Sequence, residues 1–290
     1  MTSHRATGFS GAVLADLHSH TTASDGDLTP TDLVRRAFDA GVGTLAVTDH
    51  DTLAGIDEAT RMGARLGVRV IAGVELSVSA PTGPLHLLGY FRTPPPSSLL
   101  ARLADLAERR RARGRRIVER LDALGIPLSL DRVLARAAGS VGRPHVADEL
   151  VAQGYAASIQ DAFTRYLARG APAYIPSDGL SPEDAVALVR AAGGAPTLAH
   201  PATLKLDPGP LDDLVASLTA QGLVGIEVHR PEHRPEDRRH FRDLADRHGL
   251  VPTGGSDFHR PGESAEIGNT GTPPLPPGTP EILLDRCAIR

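Results

Sequence analysis

The sequence predicts an α/β fold in which seven short strands come close to forming a closed barrel, interrupted by one long helical insertion. Three observations carry this reading. Seven β-like runs occur along the chain, helix-like stretches alternate with most of them, and the alternation breaks once, between the fourth and fifth runs.

The strand signals are Ala12 to Leu17, Thr44 to Thr48, Arg69 to Val78, Leu85 to Phe91, Pro196 to Ala199, Val224 to Val228 and Val251 to Gly254. Helical periodicity is expected over Thr31 to Ala40, Ile56 to Leu66, Pro182 to Ala192, Leu211 to Gln221 and Pro235 to His248. Ser181 before Pro182 and Glu183 makes a strong helix start, because a capping hydroxyl precedes a proline that needs no intrahelical donor partner. From about residue 99 to 170 the helical pattern continues, as in Leu99 to Leu124 and Asp161 to Ala168, with no convincing strand. Pro94-Pro95-Pro96 marks entry to this stretch and Gly170-Ala171-Pro172 its exit. The expected division is a barrel domain over 12–98 and 171–290, a helical cap over 99–170, and a loose leader over 1–11 that includes His4.

Composition narrows the chemistry. With 41% hydrophobic residues in 290 there is ample material for a core, but no Trp and 3% aromatics mean that Ala, Val, Leu and Ile must build it. The single cysteine, Cys287, excludes an internal disulfide framework and any thiolate-rich metal site. Without an apolar run long enough to span a bilayer, or a secretory pattern in the first residues, a cytoplasmic protein is expected. The insertion holds thirteen Arg against eight Asp and Glu, so its +5 leaves −9 for the rest of a chain of net charge −4. An acidic mouth under a basic cap suits cations below and an anion above. Most arginines between Arg109 and Arg120 read as a solvated helix face, with pairs such as Arg115 and Glu119.

Potential metal ligands recur at the strand runs. His18-Ser19-His20 and then Asp25 follow the first, Asp49-His50-Asp51 the second; Glu75 and His86 lie in the third and fourth. His200 ends the fifth, Asp257-Phe258-His259 follows the seventh, and His229, less clearly, the sixth. Barrel enzymes draw their sites from strand ends, so these residues should converge. Extended positions two apart share a face, so His18 with His20, and Asp257 with His259, can act as pincers. A symmetric hairpin across Ser79 to Gly83 would set Glu75 opposite His86, where a carboxylate can bridge ions. Nine nitrogen and oxygen ligands exceed what one ion needs, so two or three divalent ions are expected, and Zn, Mn or Fe all suit such donors.

The runs Asp16-Leu17-His18-Ser19-His20, Ser24-Asp25-Gly26, Thr48-Asp49-His50-Asp51, Gly73-Val74-Glu75, His86-Leu87-Leu88-Gly89-Tyr90, Ala199-His200-Pro201 and Gly255-Ser256-Asp257-Phe258-His259 resemble the ordered motifs of the PHP family of metal-dependent phosphoesterases. The resemblance spans about residues 14 to 260. It implies a distorted seven-stranded β/α barrel with a trinuclear site: His18, His20, Glu75 and Asp257 on one ion, Glu75, His86 and His200 on a second, Asp25, His50 and His259 on a third. Gly142-Arg143-Pro144-His145-Val146-Ala147 resembles the branch that removes the 3′-phosphate of nucleoside 3′,5′-bisphosphates and trims short RNA from its 5′ end. Where that branch has a tyrosine after strand six, this chain has His229, followed by His233.

The expected activity is therefore phosphoester hydrolysis by a metal-bridging hydroxide held by Glu75, His18, His20 and Asp257. Arg143 should contact phosphate with His145 assisting, and His229 and His233 are further substrate-side candidates. Asp51 and His229 are both candidates for the leaving-group acid, which stays unassigned. The expected partner is a small phosphorylated nucleotide or a short RNA end, with no duplex nucleic acid and no membrane. Two rivals are a phosphatase for another small ester such as histidinol phosphate, and a non-catalytic metal- or nucleotide-binding module.

Overall fold

The computed structural model describes residues 14–80, 83–136, 142–176, 179–262 and 265–287. The expected leader, His4 and the first two residues of the first predicted strand lie outside them. The strands are β1 (Leu14–Asp16), β2 (Val42–Val47), β3 (Arg69–Ala80), β4 (Gly83–Phe91), β5 (Ala195–Leu198), β6 (Gly225–His229) and β7 (Val251–Gly254). The helices are α1 (Pro30–Asp39), α2 (Ile56–Leu66), α3 (Ser97–Ala123), α4 (Leu130–Arg136), α5 (Arg143–Ala152), α6 (Ile159–Ala162), α7 (Pro182–Ala191), α8 (Pro208–Ala220), α9 (Pro235–His248) and α10 (Thr279–Asp285). A π-helical turn, Phe163–Leu167, continues α6, so the predicted helix over Asp161 to Ala168 is present in altered form.

The seven strands form one sheet in chain order. Pairing is parallel through β1, β2 and β3, antiparallel on both sides of β4, and parallel again through β5, β6 and β7. Beyond the ends of β1 and β7 the backbone draws the sheet together: Asp257 N–H donates to the His18 carbonyl at 2.8 Å and His20 N–H to the Phe258 carbonyl at 2.9 Å. The result is a nearly closed, distorted barrel. Strands β5 and β6 are buried at every residue, as expected where helices cover a parallel sheet.

Local chemistry sets the helix starts. Ser181 Oγ accepts from Asp184 N–H at 3.1 Å ahead of α7, and Thr29 Oγ1 does the same for Asp32 ahead of α1, each followed by a proline. Helix α3 joins two apolar clusters. Its first half gives Leu99, Leu103 and Leu106 to the cluster under β3, β4, α7 and α8. Its second half gives Ile117, Val118 and Leu121 to a separate cluster with Val133, Val146, Leu150 and Leu167.

One expectation fails in register. Glu75 faces Leu88, and His86 faces Ser77, because strand pairing continues to Ala80 and Gly83. The hairpin axis therefore lies one residue further along the chain than a Glu75–His86 pair requires, which displaces the partner by two. The parity of the register is kept, so Glu75 and His86 still share a face, diagonally, and remain within reach.

Candidate metal centre

Glu75 stands at the middle of the site. Its Oε2 lies 3.3 Å from His18 Nε2, 3.1 Å from His20 Nε2 and 3.2 Å from His50 Nδ1, while its Oε1 lies 2.8 Å from His86 Nδ1 and 3.0 Å from His200 Nε2. Five imidazoles, from three strand ends and from within one strand, thus meet a single buried carboxylate. Asp257 Oδ1 adds a second acceptor 3.2 Å from His18 Nε2 and 3.1 Å from His20 Nε2. Asp25 closes the other side, 3.5 Å from His259 Nε2 and 3.7 Å from both His20 Nδ1 and His50 Nε2. All nine residues singled out in the sequence are brought together.

Within this assembly, ligand atoms lying within 4.8 Å of one another form three sets. His18, His20, Glu75 and Asp257 form one, matching the first set implied by resemblance. His20, Asp25, His50 and His259 form another, so His20 belongs to both. The third is His50, Glu75 and His86, and His200 Nε2 stands beside it, 3.2 Å from His86 Nδ1.

These residues fit divalent cations. Buried His18 Nε2, Asp25 Oδ1 and His50 Nδ1 have no hydrogen-bond partner although neighbouring donors or acceptors stand close. Each belongs to a set of ligand atoms gathered within 4.8 Å of one another, an arrangement that is costly for polar atoms unless a cation sits among them. The carboxylates are charged. Burial pushes Glu75 up, but His50, His86 and His18 outweigh it and hold its carboxyl well below the usual range. For Asp257, burial is likewise overcome, by His18 and Arg230. His50 is pushed well down by its burial, which favours the neutral imidazole.

The backbone is strained at three residues in or beside the centre. Asp51, His200 and Asp257 have φ of 52°, 28° and 56°, a region that non-glycine residues seldom enter. Gly255 permits the closure of β7 on β1, since a Cβ there would lie 2.3 Å from His18 Cβ.

Sequence reasoning missed several contributors. Glu227 is fully buried in β6 and accepts from His18 Nδ1 at 3.0 Å; a charged residue inside the apolar run Gly225 to His229 was the available signal. Arg230, also buried, reaches Asp257 Oδ2 at 3.0 Å. Asp49, named in the sequence only as a potential ligand, instead accepts from Thr21 N–H at 2.7 Å and Ser24 Oγ at 2.6 Å, which ties down the loop carrying Asp25. Two arginines of the supposed solvated face are not solvated: Arg110 bonds Asp51 at 2.8 Å and Ser77 Oγ at 2.7 Å, and Arg113 bonds the Ile175 carbonyl. No sequence signal separates them from exposed Arg109 and Arg111.

Next to the centre is a cavity of about 420 Å³. Asp25, His50 and His86 line it together with Arg110, Arg113, Arg143, Arg169, Phe163 and Tyr174. The Arg143 guanidinium lies 5.5 Å from the Phe163 ring centroid and 5.9 Å from that of Tyr174. His145 is turned to the start of α5, where its Nδ1 accepts from Gly142 N–H at 2.9 Å. His229 and His233 point elsewhere. His229 Nδ1 bonds the Pro273 carbonyl and its Nε2 meets Arg242; His233 Nδ1 bonds the Val228 carbonyl and its ring packs on Phe241. A larger, mostly apolar groove of about 670 Å³ between α2 and α3 contains none of the nine ligands.

A nearly closed seven-stranded β/α barrel with a histidine–carboxylate centre beneath an arginine-lined cavity defines a metal-dependent phosphoester hydrolase. The chain belongs to the PHP family: the PHP domain model matches residues 16–168. It is 41% identical over 262 residues to the 5′-3′ exoribonuclease Rnm of Salmonella typhimurium, covering 89% of each chain. It is 37% identical over 265 residues to the 3′,5′-nucleoside bisphosphate phosphatase of Chromobacterium violaceum, covering 90% of this chain and 92% of that one. A solved structure from Chromobacterium violaceum, described as an amidohydrolase with bound sulfate and no metal, superposes with a TM-score of 0.86 at 36% identity, covering 94% and 97%. Among the described residues no helix is long and apolar enough to cross a membrane.

Proposed function

We propose that the chain removes the 3′-phosphate of nucleoside 3′,5′-bisphosphates and trims short RNA from its 5′ end, in the cytoplasm, with three divalent ions. The observation that carries this reading is the composition of the cavity beside the centre. Four arginines and two aromatic rings are more than one phosphomonoester needs, and they suit a ligand with two anionic groups and a flat base. Names of the relatives point the same way.

In this reading His18, His20, Glu75 and Asp257 hold one ion, Glu75, His86 and His200 a second, and Asp25, His50 and His259 a third. Zinc, manganese or iron held there supplies an acidified water and neutralises charge on the phosphoryl oxygens. The remaining work falls to the chain's own residues. Arg143 and Arg110 orient the phosphates on the cavity side, and Phe163 and Tyr174 keep Arg143 flat against its ligand. Asp51, bonded to Arg110 and to Ser77 N–H, anchors that guanidinium at the cavity wall. Residues 99–170 act as the cap that carries the cationic side of the cavity.

The test is phosphate release by protein loaded with zinc, manganese or iron, compared across adenosine 3′,5′-bisphosphate, AMP, histidinol phosphate and a short 5′-phosphorylated RNA. The bisphosphate should be turned over fastest, with slower release of mononucleotides from the RNA. Preference for histidinol phosphate would replace the substrate class. Metal uptake without turnover of any of the four would point to a non-catalytic module.

A further inference from the structure

Two buried charged residues behind the centre have no part in the reaction as described above. Glu227 and Arg230 are both almost wholly inaccessible to solvent. One Glu227 oxygen accepts from His18 Nδ1 at 3.0 Å; the other accepts from the His200 backbone N–H at 2.7 Å and from Arg230 Nη1 at 3.4 Å. Arg230 Nη2 in turn donates to Asp257 Oδ2 at 3.0 Å and Glu232 Oε2 at 3.2 Å. The pair therefore touches three of the nine ligand residues, each on the side facing away from the centre.

We propose that Glu227 and Arg230 are a positioning pair that presents His18, His200 and Asp257 to the ions. Glu227 accepts a hydrogen bond from His18 Nδ1–H and so keeps the ring proton there, which leaves the free lone pair on Nε2, the nitrogen turned toward Glu75 and Asp257. Through the His200 N–H it also holds that residue at φ 28°, a conformation that needs outside support. Arg230 occupies Asp257 Oδ2 and leaves Oδ1 facing the two imidazoles. A carboxylate sealed this far from water needs a counter-charge, and Arg230 provides it, so neither partner stands well alone. The inference rests on the metal-dependent reading, yet its test does not depend on any substrate.

Zinc affinity and stoichiometry are measured by competition with a chromophoric chelator on the whole chain and on Glu227→Gln, Arg230→Met and Arg230→Lys. Folding is followed by circular dichroism. Glu227→Gln should keep the fold and lose about 10–100-fold in affinity for at least one ion, the effect expected of removing a histidine's outer partner. Arg230→Met should do likewise, and Arg230→Lys should recover part of the loss. Glu227→Gln binding zinc as the unaltered chain does would overturn the proposal. Should that variant not fold, the nitrogen chemical shifts of His18 in the zinc-loaded unaltered chain decide: a proton on Nδ1 with zinc on Nε2 supports it, and zinc on Nδ1 overturns it. Failure of the unaltered chain to bind zinc, manganese or iron would remove the metal reading and this inference together, whereas equality of the variants removes the inference alone.

Discussion

Arg260 meets both carboxylate oxygens of Asp148 with its two terminal nitrogens, each at 2.9 Å, and so ties the loop after β7 to α5. Both side chains are about three-quarters or more shielded from solvent, so the pair is not screened as a surface pair would be. In a double-mutant cycle with Arg260→Ala and Asp148→Ala, denaturant unfolding should show a coupling of about 1 kcal/mol. Each single variant should also raise KM for the bisphosphate, since the tie holds Arg143, the first residue of α5, over the centre. Additive stabilities and an unmoved KM would show that the fork is incidental.

Gly255 makes a second prediction. A methyl group there would collide with the His18 backbone at 2.4 Å as well as with its Cβ. Gly255→Ala should cost about 1–3 kcal/mol and weaken zinc binding, because the strand that carries His18 must retreat. Gly209, near the start of α8, has nothing within 4 Å of an added Cβ and is the control: Gly209→Ala should leave both quantities almost unchanged. Equal effects at the two sites would contradict the steric account.

Removing the ions should be felt in stability. Six imidazoles and three carboxylates are held together in a buried space, and any ligand bound by the folded form alone adds to its stability. Chelation should lower the melting temperature by roughly 5 °C or more, reversed by adding zinc or manganese. His50→Ala and Asp257→Ala should reduce phosphate release by roughly a thousandfold, the several kcal/mol ascribed to metal assistance, while circular dichroism stays native. Full activity in either variant would remove these residues from the mechanism.

The cavity arginines give the fourth prediction. Arg143→Ala and Arg110→Ala should each cost about 1.5–3 kcal/mol in kcat/KM for the bisphosphate, the range for hydrogen bonds to charged groups. Arg143→Lys should recover little, because an ammonium lacks the planar fork that a guanidinium offers to phosphate oxygens and to the nearby Phe163 and Tyr174 rings. By contrast His233→Ala, altering a ring packed on Phe241, should affect stability more than KM.

Much of this was legible along the chain because strand ends announce themselves by residue type. An apolar run followed by His18-Ser19-His20 or Asp257-Phe258-His259 identifies both the element and the donors it delivers, and the cap at Ser181 needs only its immediate neighbours. The hairpin was legible in its face but not in its register, since one residue of displacement at the turn leaves every side chain on the same side while changing its partner. The surroundings of Arg110 and His229 were not legible, for a related reason. Whether a charged group on a helix meets water or Asp51, and whether a ring at a strand end turns inward or toward Pro273, depends on neighbours far away in sequence.

The order of the strands, the oxygen and nitrogen character of the donors and the absence of thiolate chemistry are properties of the sequence alone, because they follow from residue identity and short-range periodicity. Tertiary structure alone decided that Glu75 lies among five imidazoles, that His20 stands in two ligand sets and that Glu227 backs His18. Those relations are fixed by how far each strand is slid and rotated when the sheet bends almost into a closed barrel, and that depends on packing summed over the whole chain.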